Sequence, residues 1–214
     1  APKNAGTYYV KASMEASDNY GFAESTVASF TITKKALTIT AEDKSITFGE
    51  AVPTYTFTAK GYVGEDDDSV VTANFACDYT QGGNAGTYTI TVTADAANYE
   101  ITCSSGTLTV AKKQLKAADL TPATNNPTKK EYDGTTELAG VTYQVTINEQ
   151  TYTVTGKAAF ADKNVGIGKL VTFTPDALDN TNYEFETGLT MAFTADITAK
   201  ALTVTGLTAT DRAY

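Results

Sequence analysis

The phrase Asn-Ala-Gly-Thr-Tyr occupies residues 4–8 and returns unchanged at residues 84–88, and a looser form, Asn-Val-Gly-Ile-Gly, begins at Asn164. The interval is 80 residues in both cases (84 − 4 and 164 − 84). A constant pitch of this length marks a module copied in tandem, because a catalytic motif gains nothing from repetition at fixed spacing. The chain is therefore read as consecutive small folding units.

Other landmarks keep step with the phrase. Asn-Tyr follows it at Asn19-Tyr20, Asn98-Tyr99 and Asn182-Tyr183. A closing segment then ends in lysine and steps directly to a new strand, through Lys34-Lys35-Ala36, Lys112-Lys113-Gln114 and Ala199-Lys200-Ala201. Connections this short do not let modules swing freely. The expected organisation is the back part of a module over 1–34, whole modules over 35–113 and 114–200, and the first strand of another over 201–214.

Threonine supplies roughly one residue in five and alternates with Val, Ile, Leu, Phe and Tyr, the period of two that suits a half-buried pleated strand. An all-β chain follows. In "TYTFTAKGY" from Thr54, Tyr55 and Phe57 face one side while Thr54, Thr56 and Thr58 face the other. "VGEDDDSVV" from Val63 reads as a turn or a single helical turn. "VTYQVTINEQTYTVTG" from Val141 reads as a hairpin reversing at Asn148-Glu149, and Asp133-Gly134 as a turn able to take positive φ.

With a net charge of −9 and a pI near 4.5, the chain is unsuited to a polyanion, so no nucleic acid or anionic membrane partner is expected. No apolar run approaches the roughly 20 residues that span a bilayer, and no charged-then-apolar leader stands in residues 1–20; no membrane insertion is expected of this stretch.

The phrase "KEYDGTT" at Lys130 to Thr136, with its Asn-Val-Gly and Asn-Tyr followers, resembles the YDG-type repeat of large bacterial surface proteins. "SITFGEAVPTYTFTAKGYVGED" from Ser45 resembles the MBG-type repeat that often alternates with it, with Phe48-Gly49 where that family more often has Tyr-Gly. The resemblance implies a tandem array on an extracellular, adhesin-like bacterial protein, and it carries no catalytic residues. The expected fold is a row of small immunoglobulin-like β-sandwiches. A β-grasp-like topology, with a short crossover helix at the acidic turn, is the alternative for residues 35–113.

The chain has no histidine, which removes Ser-His-Asp and Cys-His nucleophilic systems and the commonest zinc ligand. No catalytic, cofactor-binding or metal residue is assigned, and no enzymatic activity or cofactor is expected. Glu65 and Asp66-Asp67-Asp68 could attract a hard cation, but lack the spacing of an EF-hand loop and read as a solvated turn, as does the stretch from Asp176 to Asn180. Cys77 and Cys103 share strand parity with bulky neighbours, so both are expected to face the core, where a disulfide or two buried thiols would fit equally. The recurring Asn4, Asn84 and Asn164 could serve Lys-Asn cross-links. The simpler reading makes them, with Gly6, Gly86 and Gly166, tight turns that each launch a core strand, the Asn left-handed or bonded through its side chain. Tyr20, Tyr99 and Tyr183 are expected to pack their rings inward and satisfy a loop with their hydroxyls.

The leading functional expectation is a stalk or spacer whose partners are neighbouring repeats. The alternative is an adhesin module that grips a host glycan, mucin or matrix protein through exposed aromatics such as Tyr62 and Tyr79.

Overall fold

The computed structural model describes residues 1–214 as strands and turns, with only two three-residue 3-10 turns, Asp68–Val70 and Ala117–Asp119. The chain divides into two compact units, Ala1–Ala111 and Lys112–Tyr214, where the sequence places the boundary after Lys113. The first unit holds β1 (Gly6–Val10), β2 (Ser13–Met14), β3 (Ala23–Glu24), β4 (Ala28–Ile32), β5 (Lys35–Ala41), β6 (Lys44–Thr47), β7 (Phe57–Lys60), β8 (Thr72–Cys77), β9 (Gly86–Asp95), β10 (Tyr99–Ser104) and β11 (Gly106–Ala111). The second holds β12 (Lys113–Leu115), β13 (Leu120–Pro122), β14 (Lys129–Glu131), β15 (Tyr143–Ile147), β16 (Gln150–Val154), β17 (Gly156–Phe160), β18 (Gly166–Pro175), β19 (Tyr183–Phe185) and β20 (Met191–Thr198).

In the first unit, residues 35–111 form two sheets, ordered β10-β5-β7 and β6-β11-β9-β8. The opening stretch serves both. It runs as β5 beside β10 in parallel, turns at Glu42-Asp43, and continues as β6 beside β11, again in parallel. The corner is held by the Asp43 carboxylate, which accepts the Thr107 N–H at 2.7 Å, and by the Glu42 carboxylate, which accepts the Thr56 hydroxyl at 2.6 Å. Inward residues of both sheets, Leu37 and Ile39 from one and Ile90, Leu108 and Val110 from the other, share one buried cluster. Tyr55 and Phe57 turn tilted rings toward Phe75 while Thr54, Thr56 and Thr58 stay exposed, as the alternation requires. Residues 1–34 contribute only the two-stranded pairs β1-β4 and β2-β3.

The second unit repeats the scheme with a shorter opening strand. β12 pairs in parallel with β19, and β14 in parallel with β20 in the sheet β14-β20-β18-β17. A third sheet, β13-β15-β16, contains the expected hairpin: Asn148 and Glu149 have φ of 48° and 67°, the primed turn that matches strand twist. Tyr143 of this sheet packs on Phe173 of the four-stranded one, ring centroids 4.8 Å apart. Gly134 takes the expected positive φ, 81°, and the Asp133 carboxylate accepts the Thr135 N–H at 2.9 Å, its hydroxyl at 2.8 Å and the Lys130 ammonium at 2.7 Å. Lys130 also donates to the Glu137 carbonyl at 2.7 Å, so one half-buried lysine clasps the whole turn.

Four expectations are modified. The parallel strand pairs distinguish these modules from a sandwich of purely antiparallel sheets. The crossover helix of the β-grasp alternative is absent, and the acidic turn makes only the 3-10 turn Asp68–Val70, too short to cover a sheet. Residues 201–214, expected as a first strand, form none. Cys77 and Cys103 are both free, and Cys103 is exposed. Parity sets the face a residue points to, but the two cysteines lie on edge strands of different sheets, and β10 runs out of the core after Ile101.

Gly156 opens β17 where a Cβ would lie 2.2 Å from the Thr174 carbonyl and 2.6 Å from the Phe173 ring. Gly156→Ala is expected to destabilise the second unit by about 1–3 kcal/mol. Hydrogen exchange should quicken at Val171 and Phe173 and stay unchanged at Ile90. The Lys130 ammonium, then the Thr135 groups, hold the Asp133 carboxyl far below the usual carboxylate range. A carboxyl depressed by folding stabilises above its unfolded pKa and loses that contribution as pH falls through the folded value. Acid titration followed by circular dichroism should therefore show stability falling below about pH 4, with a shallower fall in Asp133→Asn.

Candidate functional site

The arrangement with the most directed polar chemistry is the joint inside the first unit, where β4 gives way to β5. Asn98 stands just before β10, the strand that pairs with β5. Its backbone carbonyl accepts the Lys35 N–H at 3.0 Å. Its side chain reaches back to the preceding module: Oδ1 accepts the Ala5 N–H at 2.9 Å, and Nδ2 donates to Asn4 Oδ1 at 3.2 Å. Beside it Tyr99 is buried, and its hydroxyl accepts the Val63 N–H at 3.0 Å and donates to Asp66 at 2.6 Å. A cleft of about 520 Å³ lies along this joint, lined by Asn4, Ile32, Lys35, Val63, Asp66 and Asn98.

The acidic run begins at its edge with Glu65 and Asp66, and each of the three aspartates has a separate occupation. Asp66 takes Tyr99, Asp67 caps the 3-10 turn by accepting the Ser69 N–H at 2.9 Å, and Asp68 accepts the Tyr62 hydroxyl at 2.8 Å. Burial, then the Asp68 bond, pushes the Tyr62 hydroxyl up to about 12. The Asp66 bond, then burial, raises Tyr99. The hydrogen bonds of Ser69 lower Asp67. These groups brace a loop; they do not converge as three or more ligands on a metal.

The recurrent phrase launches a strand each time, since β1, β9 and β18 begin at Gly6, Gly86 and Gly166. The asparagines are not left-handed, however; Asn148 and Glu149 alone among non-glycine residues have positive φ. The tyrosine four residues on locks the turn: the Tyr8 hydroxyl donates to the Asn4 carbonyl at 2.7 Å, and the Tyr88 hydroxyl to the Asn84 carbonyl at 2.7 Å. The third copy lacks that tyrosine. A bulge between Gly166 and Lys169, with Gly168 at φ 62°, brings the Lys169 ammonium to the Asn164 carbonyl at 2.7 Å, with Asp162 as its ion-pair partner. Lys169 thus meets the main chain of Asn164, the contact of a turn clasp. The tyrosine at a fixed offset in both exact copies is the signal that could have identified the lock; the reach of Asn98 to Asn4 left no such trace.

Other expected positions are divided. Tyr183 is buried like Tyr99, but Tyr20 is 70% exposed. Of the aromatics proposed for ligand stacking, Tyr79 is only 4% exposed and packs against Tyr88, ring centroids 5.0 Å apart, while the Tyr62 hydroxyl is taken by Asp68. Neither is a free surface ring: both lie in loops that fold back on the module, Tyr62 edge-on to Tyr99 with ring centroids 5.9 Å apart. Cys77 lies beside Tyr55, whose hydroxyl burial pushes up to about 12, the thiol adding to the rise. The Asp176 N–H closes a loop on the Thr155 carbonyl at 2.8 Å.

Comparison with known families places these landmarks. Residues 37–109 match the MBG domain (YGX type), within which the Gly49 turn carries Phe48 before it, and residues 114–191 match the YDG domain. No curated protein and no solved structure matches the chain. Each matched span holds one copy of the repeated phrase, and the chain carries, in tandem, an MBG domain (YGX type) over residues 37–109 followed by a YDG domain over residues 114–191.

Proposed function

We propose that this chain is a non-catalytic stalk or spacer of an extracellular bacterial surface protein, whose work is to hold a distal functional region at a distance. The observation that carries the reading is the joint at residues 32–35. Two residues, Thr33 and Lys34, separate β4 from β5, and Asn98 fastens the joint from the side. One residue, Lys112, separates β11 from β12. A chain built to let its modules move would place Gly- or Ser-rich linkers there. Threonine-rich outward faces support the same reading, since they offer hydration without a binding patch. The extracellular bacterial setting rests on the resemblance to surface-protein repeats, and the partners are neighbouring repeats.

The rival adhesive reading loses its principal candidates with Tyr62 and Tyr79 engaged inside the fold. Small-angle scattering on chains carrying one, two or three copies of residues 35–200 should give a maximum dimension that grows by a constant increment per copy. The same chains should bind nothing saturably on arrays of glycans, mucins and matrix proteins. Saturable binding to one class, abolished by an exposed-ring change such as Tyr9→Ala, would replace the spacer by an adhesive module.

A further inference from the structure

The parallel pairing of the MBG module keeps one register throughout. Tyr99 lies opposite Lys35 in β10 and β5, and Leu108 lies opposite Lys44 in β11 and β6, so the offset is 64 residues in both sheets (99 − 35 and 108 − 44). Residues 35–47 therefore run beside residues 99–111 around the corner from one sheet to the other. The Lys35 N–H closes one end of this ladder on the Asn98 carbonyl at 3.0 Å, and the Phe48 N–H closes the other on the Ala111 carbonyl at 2.8 Å. At the corner the Asp43 carboxylate accepts the Thr107 N–H at 2.7 Å, and a Cβ on Gly106 would lie 2.5 Å from the Ala41 carbonyl oxygen. The two stretches meet there backbone to backbone.

They are also the stretches by which the chain enters and leaves the module. Thr33 and Lys34 alone separate β4 from β5, and Lys112 alone separates β11 from β12, so tension along the chain arrives at Lys35 and Ala111 without a slack linker to absorb it. Parallel strands start at the same end. Pulling the start of one and the finish of the other in opposite directions slides them past each other, and the evenly spaced bonds of the ladder resist together. Pulling both from the same end peels the ladder, and its bonds break singly. Neither strand can slip off a sheet edge, because β5 lies between β10 and β7, and β11 between β6 and β9.

The YDG module has a lighter version of the device. Its parallel ladders, β12 with β19 and β14 with β20, span three residues each, and their offsets of 70 and 67 (183 − 113 and 196 − 129) differ, so they do not form one continuous run. β12 has β19 as its one sheet neighbour.

We infer that the MBG module is a shear clamp, a load-bearing element that keeps its fold under tension applied along the chain, and that the YDG module yields first. A spacer as such needs only length, and an adhesive array pulled through its ligand would load the same ladder, so the inference stands apart from the choice between those readings. Equilibrium stability does not measure this property. Forced unfolding is governed by the unfolding rate, and that rate depends on which bonds the pull loads.

The test is single-molecule force spectroscopy on the whole chain carrying Cys77→Ala and Cys103→Ser, so that introduced cysteines at exposed positions serve as attachment points. Handles at Lys34→Cys and Lys112→Cys load the ladder in shear, whereas handles at Lys34→Cys and Ala97→Cys pull the same two strands apart from one end. The first pair should hold to a several-fold higher force than the second at the same loading rate. Handles at Lys112→Cys and Ala199→Cys, which span the YDG module, should open below the first pair. Asp43→Ala, which removes the corner bond, should lower the force of the first pair and leave that of the second unchanged. Circular dichroism on each chain establishes that it is folded before it is pulled. Equal forces for the two MBG attachments, a shear force that Asp43→Ala does not move, or a YDG module that outlasts the MBG module would each overturn the inference.

Discussion

Every module here depends on the parallel pairing of its first strands with its last. β5 with β10, β6 with β11, β12 with β19 and β14 with β20 all join residues from opposite ends of a module. A tight turn cannot make such a pair, so everything between must be folded as the crossover. The buried Leu37 and Ile39 therefore gain their cover only when the strand that follows Asn98 arrives. A module of this kind completes late and as a whole, because loop-closure entropy is spent before the pairing that offsets it.

The joint between modules follows from the same pairing. A strand that must lie beside the opening strand begins level with it, at the boundary with the preceding module. Asn98 is thus delivered to Asn4 and Ala5 by the topology, and Lys35 meets it from the other side. Each of these bonds contributes only about 0.5–1.5 kcal/mol net. They are directional and partly shielded, which fixes orientation more than it adds stability. The neighbouring acids, each held by a tyrosine or a turn N–H, keep the loop around this joint in one shape.

The physics that made parts of the fold legible is local. Alternation of Thr with apolar residues placed Tyr55 and Phe57 inward correctly, and Asn148-Glu149 and Asp133-Gly134 behaved as their backbone preferences require. The repeated phrase revealed modules because spacing survives without any knowledge of contacts. Failures arose where a residue's surroundings come from distant segments. Cys103 and Ile101 have the same parity, yet the end of an edge strand lies beyond the sheet that would cover it. Tyr62 and Tyr79 were read as surface candidates because their partners, Asp68 and Tyr88, are named only by the folded chain. The asparagines of the repeated phrase owe their turn to a tyrosine or lysine clasp and keep ordinary φ.

By itself the sequence determined that this is an all-β chain, that it is built of modules at an 80-residue pitch (84 − 4), and that those modules are an MBG-type unit followed by a YDG-type one. Those properties are carried by periodicity, composition and short phrases, which are written along the chain. Only the tertiary structure decided that opening and closing strands run parallel, and that Asn98 fastens one module to the residues before it. These depend on which distant strand becomes a neighbour, and strand pairing is a non-local choice that no short stretch of residues encodes.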